Sequence, residues 1–288
     1  MIKEIIKTAR PHQWIKNLLV FIALFFSKNL FHPTFILKTL FAFFLFCFIS
    51  TSVYFLNDIF DIKKDRLHPQ KRFRPIAQGD LSPIIAMIFA IFLAFITLCL
   101  SYLLGLDFLL LLLIYLVIQI GYNIFFKNMI ILDIFAVASG FFIRILAGVF
   151  AIDVPLSSWL VISAIMLSLF ISIGKRRYEI ILLKQEAINH RPILKEYSLS
   201  LLDQMISITT PTIIITYMLY TVAPETIKKF GTKNLIFTIP FLLYGLFRYL
   251  YLIYTKEKGG SPETILITDK PLLIDILFYI IIVGLILY

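Results

Sequence analysis

Apolar positions in this chain come in long unbroken runs. Phe108 to Ile118, for example, has no charged residue and no alternation of polar with apolar positions. A helix crossing a bilayer needs about 20 mostly apolar residues. Nine segments meet that requirement: 17–35, 36–56, 84–104, 106–124, 129–150, 156–174, 204–223, 234–254 and 272–288. Ser27, Lys28 and Asn29 interrupt the first, and the last is short. A transmembrane barrel would alternate with a period of two. The pattern therefore predicts an all-α, polytopic membrane helical bundle with about nine transmembrane helices.

Composition agrees and excludes other classes. Of the 288 residues, 60% are hydrophobic and 15% charged, against about a quarter charged in soluble domains. A soluble enzyme, a disordered chain, a collagen and a disulfide scaffold are all ruled out. Cys47 and Cys99 both lie in apolar stretches and read as packing residues. The first apolar run lacks a small-residue cleavage site, so no cleaved signal peptide is expected.

The net charge of +10 raises the question of nucleic acid, and its distribution answers it. With the N-terminus cytoplasmic, 20 of the 27 Lys and Arg fall in segments facing the cytoplasm. Five face the other side, and Arg144 and Arg248 lie inside spans. This is the positive-inside pattern. It predicts a cytoplasmic N-terminus and no nucleic acid partner, although Lys228, Lys229 and Lys233 run against it. The long loops 57–83 and 175–203 then form a polar cap on a single membrane domain, 1–288. With the polar mass gathered on one face of the membrane, the protein's chemistry is expected on that cytoplasmic face.

The richest segment extends the second span: Tyr54-Phe-Leu-Asn-Asp-Ile-Phe-Asp-Ile-Lys-Lys-Asp65. Asn57, Asp61 and Asp65 are spaced by four, and Asp58 stands three before Asp61, so a helix places all four on one face. Like charges there repel, and a divalent cation offsets them economically. Mg²⁺ prefers oxygen, takes one or two carboxylates and fills its shell with water and substrate phosphate. The segment predicts a Mg²⁺-diphosphate site with Asn57 and Asp61 as the chief metal ligands and Asp58, Asp61 and Asp65 as catalytic groups. The competing reading is a solvated acidic helix end paired with Lys63, Lys64 and Arg66. Lys71, Arg72 and Arg74 follow within ten residues, and carboxylates followed by cations suit a metal-bridged diphosphate.

Asn57-Asp58-x-x-Asp61-x-x-x-Asp65 resembles the first aspartate motif of the UbiA-type intramembrane prenyltransferase superfamily. Arg10-Pro-His-Gln-Trp-Ile-Lys-Asn17, His68-Pro-Gln-Lys-Arg-Phe-Arg-Pro-Ile-Ala-Gln-Gly79, Gly174-Lys-Arg176 and Gly260-Ser-Pro-Glu263 resemble one branch of it, the decaprenyl-phosphate phosphoribosyltransferases. The resemblance implies a UbiA-like fold, Mg²⁺ as cofactor, and two substrates: 5-phosphoribosyl 1-diphosphate and a polyprenyl phosphate lipid. The lipid phosphate would attack the anomeric carbon and diphosphate would leave. Ordinary members instead ionise a prenyl diphosphate and alkylate an acceptor. They carry a second Asp-x-x-x-Asp pair after the sixth span, where this chain reads Gly174-Lys-Arg-Arg-Tyr-Glu179 with no aspartate between Asp153 and Asp203. A basic cluster there suits a second phosphate group, so Lys175 and Arg176 are expected to bind substrate.

Arg144, two-thirds along the fifth span, is costly at that depth and is expected to reach a polar cavity and bind phosphate. Its competing reading is an ion pair with an acid on another helix. Asp133, eleven residues earlier, points the same way along the helix but is too far to pair. Lys127 and Tyr122, matched to the family pattern, together with Lys16 and Tyr54, complete the expected substrate ligands. Trp14 reads as an interface anchor and Arg248 as structural. A transporter is the alternative from a different class, and a homo-oligomer is left open.

Overall fold

The computed structural model describes residues 1–67, 71–155, 157–183, 192–256, 264–265 and 268–288. Within them the chain is helical, with no strand. A short helix, α1 (Ile2–Ala9), leads into a 3₁₀ segment, Pro11–Val20, and then α2 (Phe21–Phe25). The rest of the first half is α3 (Pro33–Phe60), α4 (Ile62–Leu67), α5 (Pro75–Gln78), α6 (Pro83–Ser101) and α7 (Leu106–Ile124). There follow α8 (Leu132–Ile152), α9 (Ser158–Leu183), α10 (Leu199–Val222), α11 (Pro224–Phe230), α12 (Ile239–Tyr254) and α13 (Lys270–Leu287). Helix starts follow local chemistry. Proline opens α3, α5, α6 and α11, where its missing N–H has no helical partner to lose. Ser198 and Asp269 cap α10 and α13 by accepting from Leu201 and Leu272 N–H, each at 3.0 Å.

Eight helices among the described residues are long and apolar enough to cross a membrane, and the chain is an integral membrane protein. They match eight of the nine expected spans. The exception is 17–35, which is a 3₁₀ segment, the five-residue α2 and then a turn with Lys28 at φ 64°. Ten 3₁₀ residues rise about 20 Å and five α-helical ones about 7 Å. The stretch thus approaches spanning length without being one helix.

Two compact units are distinguished along the chain. The first comprises Met1–Leu24, Leu30–Met129 and Ile143–Val154, the second Phe25–Asn29, Ile130–Phe142 and Pro155–Tyr288. In the first, Phe46, Ile49, Phe108, Leu112, Tyr115, Ile143 and Ala147 form the main core. In lipid, helices approach through small residues and interhelical hydrogen bonds. Here α3 meets α6 at Ala86 and Ala90, with Ser52 Oγ donating to the Ala90 carbonyl at 2.8 Å. The 3₁₀ segment comes still closer to α8: a Cβ on Gly148 would stand 2.0 Å from the Val20 carbonyl oxygen. A smaller cluster of Phe55, Ile76, Leu81, Ala86 and Ala90 receives Ile5 and Ala9 of α1, seating α1 on α3 and α5.

In the second unit, Phe170, Ile173, Leu202, Ile206, Ile213, Leu246 and Leu272 form the core. Buried hydroxyls there find one another: Tyr217 pairs with Thr238 at 2.6 Å and with Tyr279 at 2.8 Å. His68–Gln70, the 184–191 stretch of the loop 175–203 and the Gly260–Glu263 motif lie outside the described residues.

Candidate active site

The acidic residues stand at a near-continuous helix end. The expected unbroken extension of the second span is interrupted once: α3 ends at Phe60, Asp61 takes φ −99° and ψ 9°, and α4 begins at Ile62. The hydrogen-bond ladder nevertheless carries through, from Asp61 N–H to the Asn57 carbonyl at 3.0 Å and from Asp65 N–H to the Asp61 carbonyl at 2.8 Å. Asn57, Asp61 and Asp65 therefore stay in register, as their spacing by four implies. Asp61, in the sparsely populated bridge region, is the joint between the two helices.

Each carboxylate meets a cation from another part of the first unit. Asp58 and Asp65 are buried, 2% exposed each. Arg74 Nη1 donates to Asp58 Oδ1 at 2.9 Å and to Asp65 Oδ2 at 2.6 Å, bridging them. Arg10 also pairs with Asp58 Oδ1. Lys127, in the tight turn between α7 and α8, donates to Asp61 Oδ1 at 2.8 Å. The competing sequence reading, pairing with Lys63, Lys64 and Arg66, is not how these charges are met. Lys63 and Lys64 are exposed, and Arg66 Nε donates to the Ala77 carbonyl at 3.0 Å, tying α4 to α5. Burial raises the Asp65 pKa above the ordinary aspartate value, against the lowering effect of Arg74 and Lys71. Lys71 and Arg72 are exposed, with Arg72 over the Phe73 ring at 4.8 Å.

The donor set suits a hard cation. No three His, Cys, Asp or Glu side chains converge as a self-sufficient metal cage among the described residues. Mg²⁺ needs none, because it binds through one or two carboxylates plus substrate phosphate. One oxygen meets the requirement directly: Asp58 Oδ2 is buried with no hydrogen-bond partner, an arrangement costly for a carboxylate unless a cation joins it.

A second polar cluster lies deeper in the first unit. Asn17, fully buried, donates through Nδ2 to Cys47 Sγ at 3.2 Å and Ser50 Oγ at 3.4 Å. Its Oδ1 accepts from Arg144 Nε at 2.7 Å, and Arg144 Nη2 donates to the Tyr115 hydroxyl at 3.2 Å. The guanidinium also sits 5.5 Å from the Phe46 ring centroid and 5.3 Å from that of Tyr115. Arg144 is thus gathered by an amide, a phenol and two ring faces. Cys47, read from sequence as plain packing, accepts a hydrogen bond here. Neither Tyr115 nor Asn17 stands out in the sequence as a partner of Arg144; a lone tyrosine in an apolar run carries no signal until its partner helix is known. Lys16, Tyr54 and Tyr122 also belong to the first unit and are half-buried.

The second unit corrects one expectation. Arg176, expected to face substrate phosphate, is 1% exposed. Its Nε donates to Asp133 Oδ2 and its Nη1 to Glu179 Oε2, both at 2.5 Å. The Tyr197 hydroxyl donates to Asp133 Oδ1 at 2.5 Å and accepts from the Ile131 N–H at 2.6 Å, and burial together with Asp133 raises the Tyr197 pKa. Arg177 in turn pairs with Asp203 at 2.7 Å. No aspartate lies between Asp153 and Asp203, but Asp133, Glu179 and Asp203 take up both arginine charges. Lys175 is the half-exposed member of the triplet. Arg248 pairs with Asp269 through two hydrogen bonds at 3.0 and 2.9 Å, the structural role expected of it.

Residues 17–267 match the UbiA prenyltransferase family. The chain is 32% identical to a decaprenyl-phosphate phosphoribosyltransferase of Mycolicibacterium smegmatis, covering 100% of this chain and 93% of the relative. It is 33% identical to the enzyme of that name from Corynebacterium glutamicum, covering 93% and 81%. Among solved structures, a UbiA homolog from Archaeoglobus fulgidus bound to GPP and Mg²⁺ superposes with a TM-score of 0.74 over 99% of both chains, at 19% identity. That last likeness is one of fold.

Proposed function

The chain belongs to the UbiA prenyltransferase family, and from that premise we propose that it transfers the 5-phosphoribosyl group of 5-phosphoribosyl 1-diphosphate to a polyprenyl phosphate, releasing diphosphate. The observation that carries this reading is the collinear similarity, over essentially the whole chain, to relatives named decaprenyl-phosphate phosphoribosyltransferase. A phosphate oxygen of the lipid forms a bond to ribose C1 as the C1–oxygen bond to diphosphate breaks, and the bonding pair leaves with diphosphate. The nucleophile is already an anion, so no strong general base is needed.

Mg²⁺ held by Asn57 and Asp61, with Asp58 and Asp65 beside them, would neutralise the leaving diphosphate. The chain's own part is to position two anionic substrates and balance their charge. Arg74, bridging through Nη1, keeps Asp58 and Asp65 in register. Lys71, Arg72 and Lys127 lie within reach of this helix end by sequence or contact, and their charges suit diphosphate oxygens. Lys16, Tyr54, Tyr122, Arg144 and Lys175 are assigned to substrate phosphate on the same reading. Residues 1–288 act as one domain in a bacterial plasma membrane, with the acidic helix end facing the cytoplasm.

A prenyltransferase using prenyl diphosphate is the second reading, favoured by the fold match to a structure holding GPP. Two arginines committed to internal acids, in place of a second aspartate pair, weigh against it. Offering labelled 5-phosphoribosyl 1-diphosphate with polyprenyl phosphate, or prenyl diphosphate with an aromatic acceptor, to the purified protein and Mg²⁺ separates the two. Diphosphate release with the first pair is expected, and Asp61→Ala should lower it by about 10²- to 10³-fold. Turnover of prenyl diphosphate alone would overturn the assignment.

A further inference from the structure

Asp58 carries two guanidinium groups on one oxygen. Oδ1 accepts from Arg10 and from Arg74, while Oδ2 is buried with no partner. Arg74 is shared between Asp58 and Asp65, so Arg10 supplies the second charge of a balanced set of two carboxylates and two guanidinium groups, and it lies on Asp58 alone. The single Arg74 nitrogen shared with Asp65 leaves the Asp58 carboxyl free to turn about its last bond; a second guanidinium on the same oxygen restricts that turn.

Arg10 is delivered to that oxygen by its backbone. It ends α1 in the left-handed region, φ 51° and ψ 59°, directly before Pro11, a conformation uncommon for a residue other than glycine. The surroundings hold it there. Ile5 and Ala9 pack into the Phe55–Ile76–Leu81 cluster, Gln13 N–H donates to the Arg10 carbonyl at 2.8 Å, and the guanidinium rests 5.3 Å from the Tyr54 ring centroid.

We propose that Arg10 is a positioning residue of the acidic site: it pins Asp58 through Oδ1 so that Oδ2 is presented as a ligand oxygen to the divalent cation that accompanies diphosphate. This rests on the reading of the acidic helix end as the cation site. Groups that orient a metal ligand in this way are typically worth about 10- to 100-fold in metal affinity.

The test uses the full-length protein in detergent or nanodiscs, with Mn²⁺ as the probe and inorganic diphosphate present, bound metal being followed by electron paramagnetic resonance. Arg10→Gln should weaken Mn²⁺ binding by about 10- to 100-fold and raise the Mg²⁺ concentration for half-maximal activity by the same factor. The KM for polyprenyl phosphate should not move. A bystander cation predicts the opposite sign, because removing positive charge beside a carboxylate tightens Mn²⁺ binding. A purely architectural arginine predicts unchanged affinity in the folded fraction. Either result overturns the proposal. If Arg10→Gln does not fold, Arg10→Lys keeps the charge without the planar fork; its Mn²⁺ affinity should still fall, and parental affinity overturns the proposal. Mn²⁺ binding by the parent that is indifferent to both Asp58→Asn and Asp61→Asn would overturn the reading of the acidic helix itself, and this proposal with it.

Discussion

Asp65 and Arg144 are the side chains whose environments make the sharpest demands on the rest of the molecule. The Asp65 pKa is raised chiefly by burial, so the folded protein retains that proton to higher pH than the unfolded chain. Stability therefore falls as pH rises through the interval above about pH 4 that separates the two states. Thermal unfolding across that interval should show the decline, and Asp65→Asn should flatten it; an unchanged slope would refute the assignment. Arg144→Lys keeps a charge at the deep cluster but loses the fork that reaches Asn17 and Tyr115. If the group binds phosphate, KM for 5-phosphoribosyl 1-diphosphate should rise about tenfold, equivalent to about 1.4 kcal/mol, with kcat little changed. Equal loss in both parameters would point to a different role. Asn57, Asp58, Asp61 and Asp65 were legible because a four-residue spacing survives even a helix break. Their pairing was not: Arg10 and Lys127 are 48 and 66 residues away from the carboxylates they meet, and Arg74, singled out in the sequence for its charge, is 16 and 9 residues from the two it bridges. Nearest-neighbour charge in sequence suggested Lys63 and Lys64, which point to solvent.

At the scale of elements, the eight long helices were readable because an apolar run longer than the bilayer is thick has few alternatives. The 3₁₀ segment was not, since its last residues, Leu18 to Val20, run into the apolar stretch that follows and only the approach of Val20 to Gly148 reveals how it packs. Gly148→Ala would put a methyl 2.0 Å from the Val20 carbonyl oxygen. One backbone or the other must move, at a cost of about 1–3 kcal/mol for such overpacking, measurable as a lowered Tm in detergent. Parental stability would show that this contact is looser than described. Arg176 illustrates the reverse. A basic triplet after a span looks like a phosphate site, and only the fold shows that Asp133, from another helix, has claimed its middle member. Arg176→Met leaves that acid buried without its cation and should destabilise the protein by about 3–5 kcal/mol. Asp133→Leu combined with it should recover much of the loss, whereas a direct substrate ligand would show no such rescue.

For the whole molecule, the charge count predicts an orientation that labelling can read. With Cys47 and Cys99 replaced, a single cysteine at exposed Lys64 should react with a membrane-impermeant maleimide only from the cytoplasmic side, and one at Lys233 only from the other. Reaction of both from one side would overturn the five crossings expected between them, 84–104 to 204–223. The basic residues at 228, 229 and 233 were the exceptions to the charge rule; Lys229 is exposed and stands 5.5 Å from the Phe230 ring centroid, and partial desolvation lowers its pKa.

The seating of α1 has a practical side. Its Ile2 and Ile6 are exposed, 72% and 55%, as befits a helix lying in the membrane surface, while its last turn aims a guanidinium at a carboxylate 48 residues further on. On the proposal for Arg10, a tag or fusion that unseats α1 should reach the acidic helix end as a loss of divalent-cation affinity, at a distance of 48 residues along the chain.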